Sequence, residues 1–160
     1  MPKRLTADIY WLTRAIALSK QCPTSSRSFA VGAVIVAKEG NQISDGFSLE
    51  WEGRWHAEEI AIQKAIQKRR DLHGCTLYSS LEPCSVRLSG KRACVDHIIA
   101  CGCSRVVFAL HEPFLFVECK GEEMLKKRGI QVLCISELGP QVAEINRHLM
   151  AAAIESAKMR

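Results

Sequence analysis

At 160 residues, 48% of them apolar, the chain has the size and composition of one domain, residues 1–160, with a core of ordinary proportions. Its apolar runs fall short of the roughly 18 residues that a membrane span requires, and residues 1–4 lead into an amphipathic stretch rather than a signal-peptide core. A cytoplasmic location with no membrane partner is therefore expected. The net charge of +5 comes from short clusters such as Lys68-Arg69-Arg70 and Lys126-Lys127-Arg128. Solvated helix ends produce the same clusters, so a nucleic-acid partner is not expected, whereas a small anionic ligand would suit them.

Residues 6–20 carry Ile9, Leu12 and Ile16 at helical spacing, and Cys22-Pro23 ends that helix. Two short runs rich in β-branched residues, 30–37 and 42–47, flank a turn containing Gly40-Asn41 and predict an antiparallel hairpin. A helix is predicted over 56–68, with Ile60, Ile62, Ala65 and Ile66 on one side and Glu59, Gln63, Lys64 and Gln67 on another. A strand at 75–79, a helix at 94–100 and a strand at 105–110 follow. The chain then gives a helix at 122–128 stopped by Gly129, a strand at 130–135 and a last helix at 142–157. This alternation predicts an α/β fold, a three-layer α/β/α sandwich around a five-stranded mixed sheet.

Two segments enter helices and carry unusual chemistry: His56-Ala57-Glu58, and Pro83-Cys84 with Cys94 ten positions on. A lone histidine at a helix start is more often a polar cap, and a cysteine in a small domain more often fills the core. The latter reading applies to Cys22, Cys75, Cys101, Cys103, Cys119 and Cys134. Taken together, however, one imidazole and two thiols in turn and helix-start positions make a three-ligand zinc site whose fourth position is open to water. One Zn2+ with a bound water or hydroxide is expected, since the metal lowers the pKa of water from about 15.7 to about 7. Glu58, two residues after His56, can face the open position and move protons without binding the metal.

The combination His-x-Glu and Pro-Cys…Cys resembles the signature of the zinc deaminases. It departs from that signature in spacing: nine residues, 85–93, separate the cysteines where the signature has two. A longer loop must therefore rise beside the metal. Residues 11–133 are similar to the cytidine-deaminase-like superfamily, whose five-stranded sheet lies between helices. Within it, Val31-Gly32-Ala33-Val34-Ile35-Val36, His56-Ala57-Glu58 and Leu81-Glu82-Pro83-Cys84-Ser85 resemble the pyrimidine deaminases of riboflavin biosynthesis. The His-Gly-Arg-Thr-Pro-Pro loop and Asp-Pro-Asn-Pro segment of the bacterial enzymes are missing. Ser85-Val86-Arg87-Leu88-Ser89-Gly90 and the segment 112–117 look more like the fungal type.

That resemblance implies hydrolytic deamination of 2,5-diamino-6-ribitylamino-4(3H)-pyrimidinone 5′-phosphate, with release of ammonia. It also implies that the Cys84 amide meets the metal-bound water. The loop between the cysteines offers Ser85, Arg87, Ser89 and Lys91 to a polar tail, with Arg87 the first choice for a phosphate. Trp55 is expected to wall the pocket, whereas Trp51 covers the core edge and Asn41 belongs to the hairpin turn. Alternatives are a cytosine-, deoxycytidylate- or guanine-type deaminase, which would share the metal site, and a non-catalytic zinc-stabilised interaction module. Editing of transfer RNA fits less well, because the long loop would obstruct a bulky strand. The superfamily's habit of assembling through helices also implies a homodimer, to which Ile154 could contribute.

Overall fold

The computed structural model describes residues 2–116 and 118–159. Val117, the last residue of the segment compared above with the fungal type, lies outside the described residues, as do the terminal Met1 and Arg160. Helix α1 (Lys3–Ser19) is followed by strands β1 (Gly32–Val36) and β2 (Gln42–Phe47), helix α2 (Ala57–Gln67) and strand β3 (Thr76–Leu81). Helix α3 (Cys94–Ala100), strand β4 (Arg105–Leu110), helix α4 (Gly121–Lys127), strand β5 (Gln131–Cys134) and helices α5 (Gly139–Ile145) and α6 (Arg147–Lys158) complete the chain. No helix among the described residues is long and apolar enough to cross a membrane.

The strands form one five-stranded sheet in the order β2-β1-β3-β4-β5. The β1 strand pairs antiparallel with both β2 and β3, whereas β3, β4 and β5 run parallel. Side chains alternate faces along a strand, so Gly32 and the adjacent Ala33, paired with Gly46, look opposite ways. A Cβ on Gly32 would stand 1.9 Å from the Ala15 carbonyl oxygen of α1, and one on Gly46 would stand 2.8 Å from the Ala57 carbonyl oxygen of α2. These two close approaches put α1 and α2 on opposite faces of the sheet. The expected α/β/α layering is present, with Val34, Ile35, Leu77, Val106 and Phe108 fully buried between the helices.

Two of the boundaries that differ from the periodicity have an identifiable cause. The last helix is predicted as one piece over 142–157 but is two, broken at Asn146. That residue is completely buried. Its side chain accepts the Ala30 N–H at 2.7 Å and donates to the carbonyls of Ala30 and Val142 at 3.1 Å. The same bonds shorten the first strand: the Ala30 and Val31 N–H groups go to the Asn146 and Ser48 side chains, and the sheet ladder begins at Gly32. A hydrophobic pattern cannot register a helix broken by a long-range hydrogen bond.

A buried charge pair ties α1 to the sheet. Arg105, at the start of β4, donates twice to the Asp8 carboxylate at 2.7 Å, and the Tyr78 hydroxyl donates to the same group at 2.8 Å. Burial pushes the Asp8 carboxyl up, but the hydrogen bonds from Arg105 and Tyr78 outweigh it and hold it below the usual carboxylate range. Because removing one partner strands a buried charge, Asp8→Ala is expected to cost about 3–5 kcal/mol of stability, measured by urea unfolding at neutral pH.

Candidate active site

The β2, β3 and β4 strands all point the same way, since two antiparallel steps separate β2 from β3. Their carboxyl ends therefore share one edge, where an open α/β sheet ordinarily offers its crevice. His56 lies in the connection after β2, Cys84 after β3 and Glu112 after β4.

His56 is the N-cap of α2, in extended conformation (φ −87°, ψ 156°). Cys84 follows the Glu82-Pro83 turn, and Cys94 is the first residue of α3. The His56 Nδ1 lies 3.5 Å from the Cys84 sulfur and 3.4 Å from the Cys94 sulfur. The three ligand atoms are all within 4.8 Å of one another, the one group of three or more potential metal ligands found among the described residues. A tetrahedral zinc with ordinary bond lengths separates a nitrogen from a sulfur ligand by about 3.6 Å, so the cluster fits that ion. The Cys94 amide donates to the Cys84 sulfur at 3.3 Å, and the Val95 amide to the Cys84 carbonyl at 3.2 Å, which locks the two cysteine segments together. The Cys94 thiol and the His56 imidazole hold the Cys84 thiol well below its ordinary pKa, whereas the proximity of Cys84 pushes Cys94 up.

Glu58 is buried in the first turn of α2. Ser79 of β3 donates to its Oε1 at 2.8 Å, and the Cys94 thiol to its Oε2 at 3.4 Å. Burial raises its pKa, the largest of several influences. The carboxyl is thus fixed beside the three ligands.

The turn carrying Cys84 is clamped from two sides. The Glu82 carboxylate accepts the amides of Glu112 at 3.2 Å and Glu122 at 3.0 Å. A Cβ on Gly121 would stand 2.0 Å from the Pro83 carbonyl oxygen, so only glycine lets α4 begin there. Ser85 completes the clamp: its hydroxyl accepts the Lys120 amide at 2.9 Å. It was expected to meet a substrate tail, but it is buried and does not line the pocket described next.

A cavity of about 420 Å³ opens onto His56 and Glu58. Trp55 and Ser89 line it, together with Val86 and Leu88 of the inter-cysteine loop, which rises beside His56 and Glu58. Arg87 also lines it, yet its guanidinium is directed to the Glu59 carboxylate at 2.9 Å and to the carbonyls of Arg54 and Arg92. Glu59, placed by periodicity on the outer face of α2, is buried for the same reason. Lys91 stands over the Trp55 ring, 5.8 Å from its centroid, and Trp55 packs edge-on against Trp51.

Sequence reading passed over Arg27, Arg54, Phe116 and Glu112, which also line the cavity. The Glu112 Oε2 is buried without a hydrogen-bond partner, and burial pushes the carboxyl up to about 7. A Glu-Pro step just after the strand predicted at 105–110 was the available signal for Glu112; none marked the two arginines. All eight cysteines are free thiols, with Cys75 and Cys103 buried in the core as expected and Cys22, Cys101, Cys119 and Cys134 half-buried.

A mixed α/β sheet with a His/Cys/Cys cluster open to a pocket defines a zinc-dependent deaminase. Residues 5–110 match the model of the cytidine and deoxycytidylate deaminase zinc-binding region, and the chain belongs to that family. Over 125 residues, 77% of its length, it is 43% identical to a diaminohydroxyphosphoribosylamino-pyrimidine deaminase of Schizosaccharomyces pombe, of which the match covers 31%. It superposes with a TM-score of 0.84 on a diaminohydroxyphosphoribosylaminopyrimidine deaminase/5-amino-6-(5-phosphoribosylamino)uracil reductase of Thermotoga maritima, at 31% identity over 94% of this chain and 42% of that one. It also superposes on the Aspergillus oryzae Rib2 deaminase in complex with DARIPP (TM-score 0.80, 24% identity, 94% and 99% of the two chains), a likeness of fold. The chain spans about a third of the length of the first curated relatives it matches.

When bound, zinc in such a site activates water at neutral pH. Because each thiolate supplies a bond that serine replaces poorly, Cys84→Ser and Cys94→Ser are expected to lower the metal content from about one zinc per chain to below about a tenth, read by elemental analysis of purified protein.

Proposed function

We propose that this chain hydrolytically deaminates the ring of a pyrimidine carrying a ribitylamino phosphate tail, 2,5-diamino-6-ribitylamino-4(3H)-pyrimidinone 5′-phosphate, in riboflavin biosynthesis. The observation that carries the reaction class is the position of Glu58, buried and hydrogen-bonded beside the three zinc ligands at the floor of the pocket. Its carboxylate takes a proton from the attacking water at Oε2 and delivers it to the departing amine, while Ser79 holds Oε1 in place. The cavity volume suits a small ring with a tail, and the orphaned Glu112 oxygen suits a donor such as a ring amino group or N–H.

The substrate reading is supported by the 43% identity to the fission-yeast pyrimidine deaminase and by the pocket mouth. There Arg27 and Arg54 are exposed, and Ser25, Ser28 and Ser89 add hydroxyls, a set suited to a ribityl phosphate. Trp55 supplies a flat wall beside His56. The six cysteines outside the metal cluster are free thiols, which supports a reducing compartment, the cytoplasm.

Ammonia release measured across the ribitylamino pyrimidine phosphate, deoxycytidylate, cytosine and guanine should favour the first by at least about a hundredfold in kcat/KM. A preference for deoxycytidylate or cytosine would overturn the substrate. With the preferred substrate, Glu58→Gln should retain zinc and the fold while kcat falls by about 10²–10⁴, and near-normal turnover would overturn the role of Glu58.

A further inference from the structure

The loop between the two cysteines has one long cationic side chain turned inward. The Arg87 side chain is 3% exposed and its partner Glu59 10%. Burying two charges is costly unless they are paired and hydrogen-bonded, and these two are paired with each other. The guanidinium reaches Glu59 Oε2 at 2.9 Å, the Arg92 carbonyl at 3.4 Å and the Arg54 carbonyl. The Glu59 carboxylate in turn accepts the His56 amide at 3.4 Å through Oε2, and its Oε1 lies 3.4 Å from the His97 Nε2 on α3.

These contacts connect every backbone segment that carries a zinc ligand or the acid–base carboxyl. Glu59 sits in the first turn of α2, between the N-cap ligand His56 and the next turn, and is adjacent to Glu58. His97 stands one turn after Cys94 on α3. Arg87 belongs to the loop that starts at Cys84, and through the Arg54 carbonyl it also holds the segment that leads into Trp55 and His56. Without this pair, the nine-residue loop would leave the two cysteines joined only by the local amide contacts at Cys94 and Val95.

We infer that Arg87 and Glu59 are positioning residues: their ion pair locks the inter-cysteine loop onto the start of α2 and so holds His56, Cys84 and Cys94 in zinc-binding geometry with Glu58 beside them. Arg87 thereby acts on the metal and on turnover, and the tail of the substrate is left to Arg27 and Arg54 at the mouth. Partners of this kind, one shell out from metal ligands, commonly change metal affinity or activity by 10–100-fold when removed.

The test compares the zinc-loaded wild type with Arg87→Met, Arg87→Lys, Glu59→Gln and the double variant Glu59→Gln/Arg87→Met. Two quantities are read: the rate of zinc transfer to a chromophoric chelator, which needs no substrate, and kcat and KM on the preferred substrate. The turnover readout rests on the deaminase proposal, whereas the chelator readout stands even if no pyrimidine is turned over. Arg87→Met should speed zinc loss at least about tenfold and lower kcat with KM within about threefold, and Arg87→Lys, which keeps the charge for Glu59, should recover part of both. In the Glu59→Gln background the same Arg87→Met change should have little further effect, because its partner is already neutral. That double variant also carries no stranded carboxylate, so it keeps the test open if Arg87→Met alone does not fold. Zinc loss at the wild-type rate with KM raised tenfold would instead make Arg87 a phosphate ligand and overturn the inference. Equal effects of Arg87→Met in both backgrounds, or no effect in either, would overturn it as well.

Discussion

Everything at the functional edge of this molecule depends on bringing one imidazole nitrogen within 3.5 Å of two sulfurs that are 28 and 38 residues away in the chain. Local structure cannot do this. Three strands must end at the same edge, and two helices must begin there. The fold meets that requirement by running β2, β3 and β4 in one direction, so that each connection leaving them delivers a functional group: His56, Cys84 and Glu112. The helix starts are useful as well as convenient. Their unpaired amides and positive end favour the thiolate form that zinc requires, and the Cys94 amide does this directly by donating to the Cys84 sulfur.

The burial of charge around this point follows one pattern. Acidic groups next to the ligands are held by specific donors: Glu58 by Ser79, Glu59 by Arg87 and the His56 amide, and Glu82 by two main-chain amides. Glu112 differs in having a buried oxygen without a partner, and it faces the cavity. The same contrast separates the arginines. Arg87 is enclosed and paired with Glu59, whereas Arg27 and Arg54 are exposed at the pocket mouth.

The three metal ligands and the overall layering were legible because each has a strong local mark. His56-Ala57-Glu58 and Pro83-Cys84 are short motifs at predicted helix and turn positions, and the helical and strand periodicities reflect which faces are buried. The break at Asn146, the inward turn of Arg87 and the burial of Glu59 were not legible. Each depends on a partner far away in sequence: Ala30 for Asn146, and two segments 28 and 33 residues apart from Arg87 for the pair. Ser85 shows the limit from the other side, since a serine beside a ligand cysteine reads as a substrate contact until the Lys120 amide is seen on its hydroxyl.

The sequence by itself determined that this is a zinc-type site with a carboxylate at hand, because metal ligation demands particular residue types and those types stand at the starts of elements that periodicity locates. The tertiary structure alone decided which polar side chains face the cavity and which are consumed in holding it. That division is one of direction in space, and direction is set by packing and by hydrogen bonds between segments that no local pattern connects.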